Sequence, residues 1–244
     1  MQTIRYAYTC YTKVYNILFN SSRSILFDYY RMNYYLGGVL MNWIASAQRW
    51  VLYIPAAYLL LYFTFSNSNI FWYMYTFTTL LFIAASFVHG KMEDEVQTWE
   101  FLVFGVGYGT LTYGLIAAGF HLFSIFSNQT ILSVENFLES YGPTTVWHYL
   151  LLMLIIAPGE ELFWRGFIQQ KLKAYMSPFF AVVTAALLFG FSLSFSGFWL
   201  GVIAACFSGF IWGLLYEWKR SMPLIIIAHI TMTILLFLVL PLTS

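Results

Sequence analysis

Five residues in two apolar stretches carry chemistry that lipid does not tolerate without reason. The stretch LLLMLIIAPGEELFWRGF at 150–167 holds Glu160, Glu161 and Arg165 inside a segment apolar enough to cross a membrane. On the insertion scale each such charge costs roughly 2.5–3.5 kcal/mol at the bilayer centre. Glu161 and Arg165 are four residues apart with the acid first, the favourable order for a helical ion pair, so they neutralise each other. Glu160 is turned about 100° from Glu161 on a helix and keeps a carboxylate with no local partner. Pro158 and Gly159 precede it and weaken the helix, so carbonyls there can face a water-containing cavity. A carboxylate beside trapped water suits a general base; the structural alternative is an ionic lock between helices. The second stretch, MPLIIIAHITMTILLF at 222–237, places His229 alone among apolar residues, with Thr233 one turn later on the same face. A lone histidine is more often packed than catalytic, but an ionisable group inside a membrane shifts that balance toward function. His89, His121 and His148 stand at or near predicted span ends or lack such neighbours and are weaker candidates.

These residues need a membrane scaffold, and composition supplies one. Of 244 residues, 61% are hydrophobic, 22% aromatic and 9% charged, with a mean hydropathy of +0.73; soluble domains carry about one quarter charged residues. The balance of 11 Lys+Arg against 10 Asp+Glu leaves +1, so no basic field points to nucleic acid. Cys10 and Cys206 support neither a disulfide framework nor a thiolate metal site. A nucleophile at Cys206, Ser192 or Ser194 with His229 as its base is conceivable, but ordinary packing of small residues is strongly favoured. The N-terminus has no compact apolar core followed by a cleavage site, so the spans themselves are expected to direct insertion.

At about 20 apolar residues per span, the chain reads as an all-α, polytopic helix bundle with spans near 50–66, 70–89, 101–126, 146–170, 178–195, 197–216 and 222–241. Residues 1–49, rich in Tyr and Asn with Arg5, Lys13, Arg23, Arg31 and Arg49, read as interfacial helices. Residues 50–145 then form three spans and 146–241 a four-helix core. An N-in, C-out arrangement puts every Lys and Arg inside or at the inner edge, and the outer segments 66–69 and 127–145 contain none. Six spans plus a re-entrant segment satisfy the same charges. Gly201, Ala205, Gly209 and Gly213 recur every four residues, a small-residue face suited to close helix packing. Gly105, Gly107 and Gly109 follow no strand and do not form a phosphate loop.

The arrangement Glu160-Glu161-Leu162-Phe163-Trp164-Arg165 resembles the Glu-Glu-x-x-x-Arg motif of the CAAX protease and bacteriocin-processing (CPBP, Abi-type) intramembrane proteases. The resemblance covers about residues 146–235. The second motif, Phe-x-x-x-His, finds Phe189 but Leu193 in the histidine position; the third, His-x-x-x-Asn, finds His229 but Thr233 in the asparagine position. With a hairpin near Met176, Glu160 and Leu193 fall at similar depth, so a leucine stands where the family's histidine faces the glutamate. The resemblance implies Glu160 as the base that activates water and His229, with Thr233 a weak substitute for an amide, as the assisting pair. Members are described as metalloproteases or glutamate proteases. Zinc held through His229 and Glu160 is thus implied as an option, with an incomplete ligand set.

Three functions are open. One is an intramembrane endopeptidase cutting a membrane-embedded or amphipathic peptide near the cytoplasmic side. The second is an inactive relative serving as a membrane regulator or bacteriocin immunity protein, which Leu193 favours. The third, a proton-coupled transporter, predicts two related halves, and no internal symmetry is seen. High usage of Tyr, Phe, Ile and Asn suggests an AT-rich bacterial genome, which makes the bacterial cytoplasmic membrane the expected location.

Overall fold

The computed structural model describes residues 49–242. The chain divides into two compact units, Met1–Leu52 and Tyr53–Ser244. Of the first, only the 3-10 helix Arg49–Leu52 is described, so the interfacial helices expected over 1–49 lie almost wholly outside the described residues. The account below concerns the second unit.

Among its described residues the unit is all helical. The helices are α1 (Tyr53–Phe65), α2 (Phe71–His89), α3 (Thr98–Phe126), α4 (Gln129–Tyr141), α5 (Val146–Leu172), α6 (Pro178–Ser192), α7 (Trp199–Lys219) and α8 (Met222–Ile234). A 3-10 helix at Leu193–Ser196 follows α6, and a π-helical segment at Leu235–Val239 extends α8. Among the described residues six helices are long and apolar enough to cross a membrane: α2, α3, α5, α6 with its extension, α7, and α8 with its extension. The seventh expected span, at 50–66, falls on a shorter apolar helix, Arg49–Phe65, of which α1 is the greater part. Large apolar side chains such as Tyr73, Phe87, Val103, Ile125 and Phe180 are exposed, as expected where the surrounding solvent is lipid.

One helix was not expected. The segment 127–145 contains α4, whose Glu135 and Glu139 are exposed while Thr130 and Val134 are buried. It is an amphipathic helix at one end of the bundle rather than an irregular loop.

Two close contacts define the packing that holds the site. Helices α6 and α7 form a tight hairpin; at Gly190 an added Cβ would sit 2.1 Å from Cys206 Sγ and 2.8 Å from Cys206 N. Helix α3 lies along α8, with Gly105 against Ile227 and Gly109 against the Ala228 carbonyl. At the other end, the connection from α2 to α3 is tied to the α7–α8 turn. Asp94 and Ser221 form an isolated bridge, Met222 N donates to Glu93 O at 2.9 Å, and Ser221 Oγ donates to Asp94 Oδ1 at 2.8 Å. Ser221 also caps α8. The buried centre runs through Leu162, Trp212, Leu215, Leu224, Ile225 and Ala228.

Candidate active site

Helix α5 is irregular where the charges sit. Leu152–Ile156 and Leu162–Gln169 are π-helical, and Ala157–Glu161 between them is α-helical. Pro158 offers no N–H and its ring crowds the preceding turn; a wide turn just before it gives the ring room. π turns within α-helices are frequent at functional sites. Gly159 lets α2 come close, since a Cβ there would lie 3.0 Å from the Thr79 carbonyl oxygen.

The five residues singled out from sequence converge. All are buried, Glu161 completely and His229, the most exposed, at 8%. Arg165 Nη1 donates to Glu161 Oε1 at 3.2 Å, the ion pair expected from the spacing. The Glu161 Oε1 atom also lies 2.8 Å from His229 Nδ1. An ionised carboxylate is an acceptor only, so this contact orients the imidazole with its Nδ1 proton toward Glu161. Nε2 then faces Glu160 Oε2 at 3.9 Å. Trp212 stacks on the imidazole with ring centroids 4.3 Å apart. Arg165 is held over the Phe189 ring at 4.5 Å and near Trp212 at 5.5 Å.

Glu160 is not the partnerless carboxylate that its own helix suggested. Tyr75 of α2 donates its hydroxyl to Glu160 Oε1, a contact across 85 residues of sequence that helical spacing within α5 does not reveal.

Glu160, His229, Thr233 and Leu193 all line one cavity of about 460 Å³. Its walls are otherwise largely apolar, and α4 contributes Val134, Phe137 and Tyr141. The cavity reaches the end of the bundle formed by the α1–α2 turn, α4 and the 3-10 helix after α6, with Phe65, Phe71 and Ser196 in its wall. Lys171, Lys173, Lys219 and Arg220 are at the opposite end of their helices. The cavity belongs to the half of the bundle remote from those basic ends.

The small-residue face of α7, close against α6 as expected, has a second use as well. A Cβ on Gly209 would lie 2.7 Å from Arg165 Nη2, and one on Gly213 would lie 3.0 Å from Gln169 Oε1. These glycines make room for polar side chains of α5 as well as for neighbouring apolar groups. Gln169 Nε2 donates to the Gly213 carbonyl at 3.2 Å and to Glu217 Oε1 at 3.0 Å. One turn further, Lys173 pairs with Glu217 at 2.7 Å.

The donor set does not fit a hydrolytic zinc, which takes three protein ligands and an open position. Glu160 and His229 face the cavity, but Glu161 Oε1 is engaged by Arg165 and His229, and its Oε2 is buried. Leu193 supplies no ligand, and among the described residues no group of three His, Cys, Asp or Glu side chains is placed to hold a metal ion.

No curated protein and no solved structure gives a significant match to this chain. A family model does match over residues 142–235, the span from the turn before α5 to the end of α8, less than half of the chain. That segment holds Glu160, Glu161, Arg165, His229 and Thr233, so the helices that build the site are the part of the chain similar to the family described as Type II CAAX prenyl endopeptidase Rce1-like, a CAAX protease-like (CPBP) family.

Proposed function

We propose that the protein is an intramembrane endopeptidase in which Glu160 activates water and His229 assists. The observation that carries this reading is the 3.9 Å gap between Glu160 Oε2 and His229 Nε2, two acid–base atoms on the wall of one cavity. A single water spans such a gap with an ordinary hydrogen bond of about 2.8 Å to each side. That water donates one hydrogen to Glu160 Oε2 and the other to the Nε2 lone pair, which leaves an oxygen lone pair free for a peptide carbonyl carbon. As the C–O bond forms, the proton passes to Glu160. The tetrahedral oxyanion accepts a hydrogen bond from the Thr233 hydroxyl, one turn from His229. On collapse the C–N bond breaks and Glu160 returns its proton to the leaving nitrogen. Glu161 and Arg165 act at one remove, holding His229 in its orientation as carboxylates do for catalytic imidazoles.

The wall of the cavity supports an apolar or amphipathic peptide as substrate. If the basic helix ends mark the cytoplasmic face, that peptide reaches Glu160 from the other side of the membrane. The wall also supports a second reading, for Leu193 lies in it and neither transfers protons nor stabilises an oxyanion: the cavity binds a membrane peptide without cutting it.

Membrane-protein N-termini compared by mass spectrometry, between cells making this chain and cells making Glu160→Gln at equal levels, separate the two. New termini that require Glu160 establish the peptidase and identify its substrate. Identical termini, with both proteins folded, reject cleavage and leave the binding reading.

A further inference from the structure

The matched segment does not complete the site by itself. Glu160 has two carboxylate oxygens with different surroundings: Oε2 faces His229, and Oε1 accepts the hydroxyl of Tyr75, which lies outside residues 142–235. We infer that Tyr75 is a positioning residue for Glu160, fixing the carboxylate so that Oε2 alone is presented to the gap before His229. The inference rests on the reading of Glu160 as the base and adds the N-terminal helices to the machinery.

Three features build this contact. Gly159 admits α2 to within contact of α5 at Thr79, and Tyr75, one turn earlier on α2, is thereby placed at the depth of Glu160. Thr79 Oγ1 donates to the Tyr75 carbonyl at 2.9 Å, and the tyrosine ring is packed on Phe71 and Phe65, with centroids 5.3 and 6.2 Å away. The hydroxyl therefore approaches Glu160 from a ring that is itself held. Among the described residues no cationic group is hydrogen-bonded to Glu160: Arg165 bonds to Glu161. The titratable and charged groups around Glu160 are Tyr75 from α2, Glu161 and Arg165 from α5, and His229 from α8. Of these only Tyr75 makes a hydrogen bond to it. Leu193 lines the same cavity without a polar side-chain atom.

The test reads Glu160 directly and needs no cleavage. The full chain, purified in detergent, is treated with an apolar carbodiimide, which reacts with protonated buried carboxyls, over a range of pH. Modification of the Glu160 peptide is measured by mass spectrometry, with Glu160→Gln to assign it. A hydrogen bond to the charged form favours that form, so in Tyr75→Phe, which keeps the ring, the labelling profile moves upward by about one pH unit. Phe71→Leu loosens the same ring cluster and keeps the hydroxyl; its profile stays with the parent. A Tyr75→Phe profile superimposed on the parent overturns the inference, as do equal shifts in the two variants, which reduce the effect to packing. If the N-terminus comparison shows no cleavage while the profile shifts as expected, the peptidase reading fails and the hold of Tyr75 on Glu160 stands.

Discussion

Gly209→Ala tests whether the small-residue face of α7 exists to admit the arginine. The new methyl would stand 2.7 Å from Arg165 Nη2, 3.1 Å from Phe189 Cδ1 and 3.4 Å from Ala186 Cα. Arg165 has little freedom to withdraw, because Nη1 is bonded to Glu161 and the guanidinium lies over Phe189. Overpacking of this kind costs about 1–3 kcal/mol, against which the better helix propensity of alanine returns up to about 1 kcal/mol. Gly107→Ala is the reference, as a Cβ there meets nothing within 4 Å and only the propensity gain remains. The two variants should differ by about 2 kcal/mol in reversible unfolding in mixed micelles, with Gly209→Ala the less stable. A second comparison sharpens this. In an Arg165→Met background, itself destabilised because Glu161 loses its cation, Gly209→Ala should become nearly neutral, a coupling of about 1–2 kcal/mol between contacting sites. Equal stability of the two alanine variants, or an undiminished Gly209→Ala penalty without the arginine, would refute the reasoning.

Glu161→Gln should lower stability by about 3–5 kcal/mol, since it leaves Arg165 buried without its counter-charge; the same micelle titration measures it, and a loss under 1 kcal/mol would show that the pair is dispensable. At the basic end, the Lys91 ammonium hydrogen-bonded to Glu93 at 2.8 Å holds that carboxyl below the usual carboxylate range. A depressed folded-state pKa gives stability that is present above the unfolded carboxylate pKa and is lost as pH falls through the folded value. Glu93→Gln should therefore weaken the acid dependence of thermal unfolding below about pH 4.5, modestly because Lys91 is largely exposed; an unchanged acid limb would deny the pair any role. In a chain lacking Cys10 and Cys206, Ser196→Cys should react with an impermeant maleimide added outside intact cells, and Lys171→Cys only after the membrane is opened. The reverse pattern would overturn the assignment of the cavity to the outer side.

What could be seen in the sequence was what a single helix contains. Spans were legible because bilayer thickness fixes their length, and the Glu161–Arg165 pair because four residues is one helical turn. Helix α4 was missed although its signal was present: Thr130, Val134, Phe137, Leu138 and Tyr141 recur at helical spacing. Too short and too acidic to read as a span, the segment reads from sequence as an outer connection between spans. Tyr75 was illegible because its partner is 85 residues away and nothing in FWYMYTF distinguishes one tyrosine from the next. The alternative use of Gly209 and Gly213 was hidden for the same reason: the side chains they admit belong to another helix.

The contacts between α5 and α7 share one arithmetic. Arg165 meets Gly209, Gln169 meets Gly213, and Lys173 meets Glu217; each pair is 44 positions apart, and each step is four. On a regular α-helix four residues advance 400°, so successive teeth would drift by 40°. The wide turns of Leu162–Gln169 lessen that drift on α5 between Arg165 and Gln169, the first of its two steps. The two helices are thereby geared: neither can rotate or slide by a fraction of a turn without unseating all three contacts together. A one-residue insertion between 165 and 173 would throw the teeth out of mesh and leave charged groups facing hydrocarbon, so this part of the chain is constrained in length more tightly than in composition.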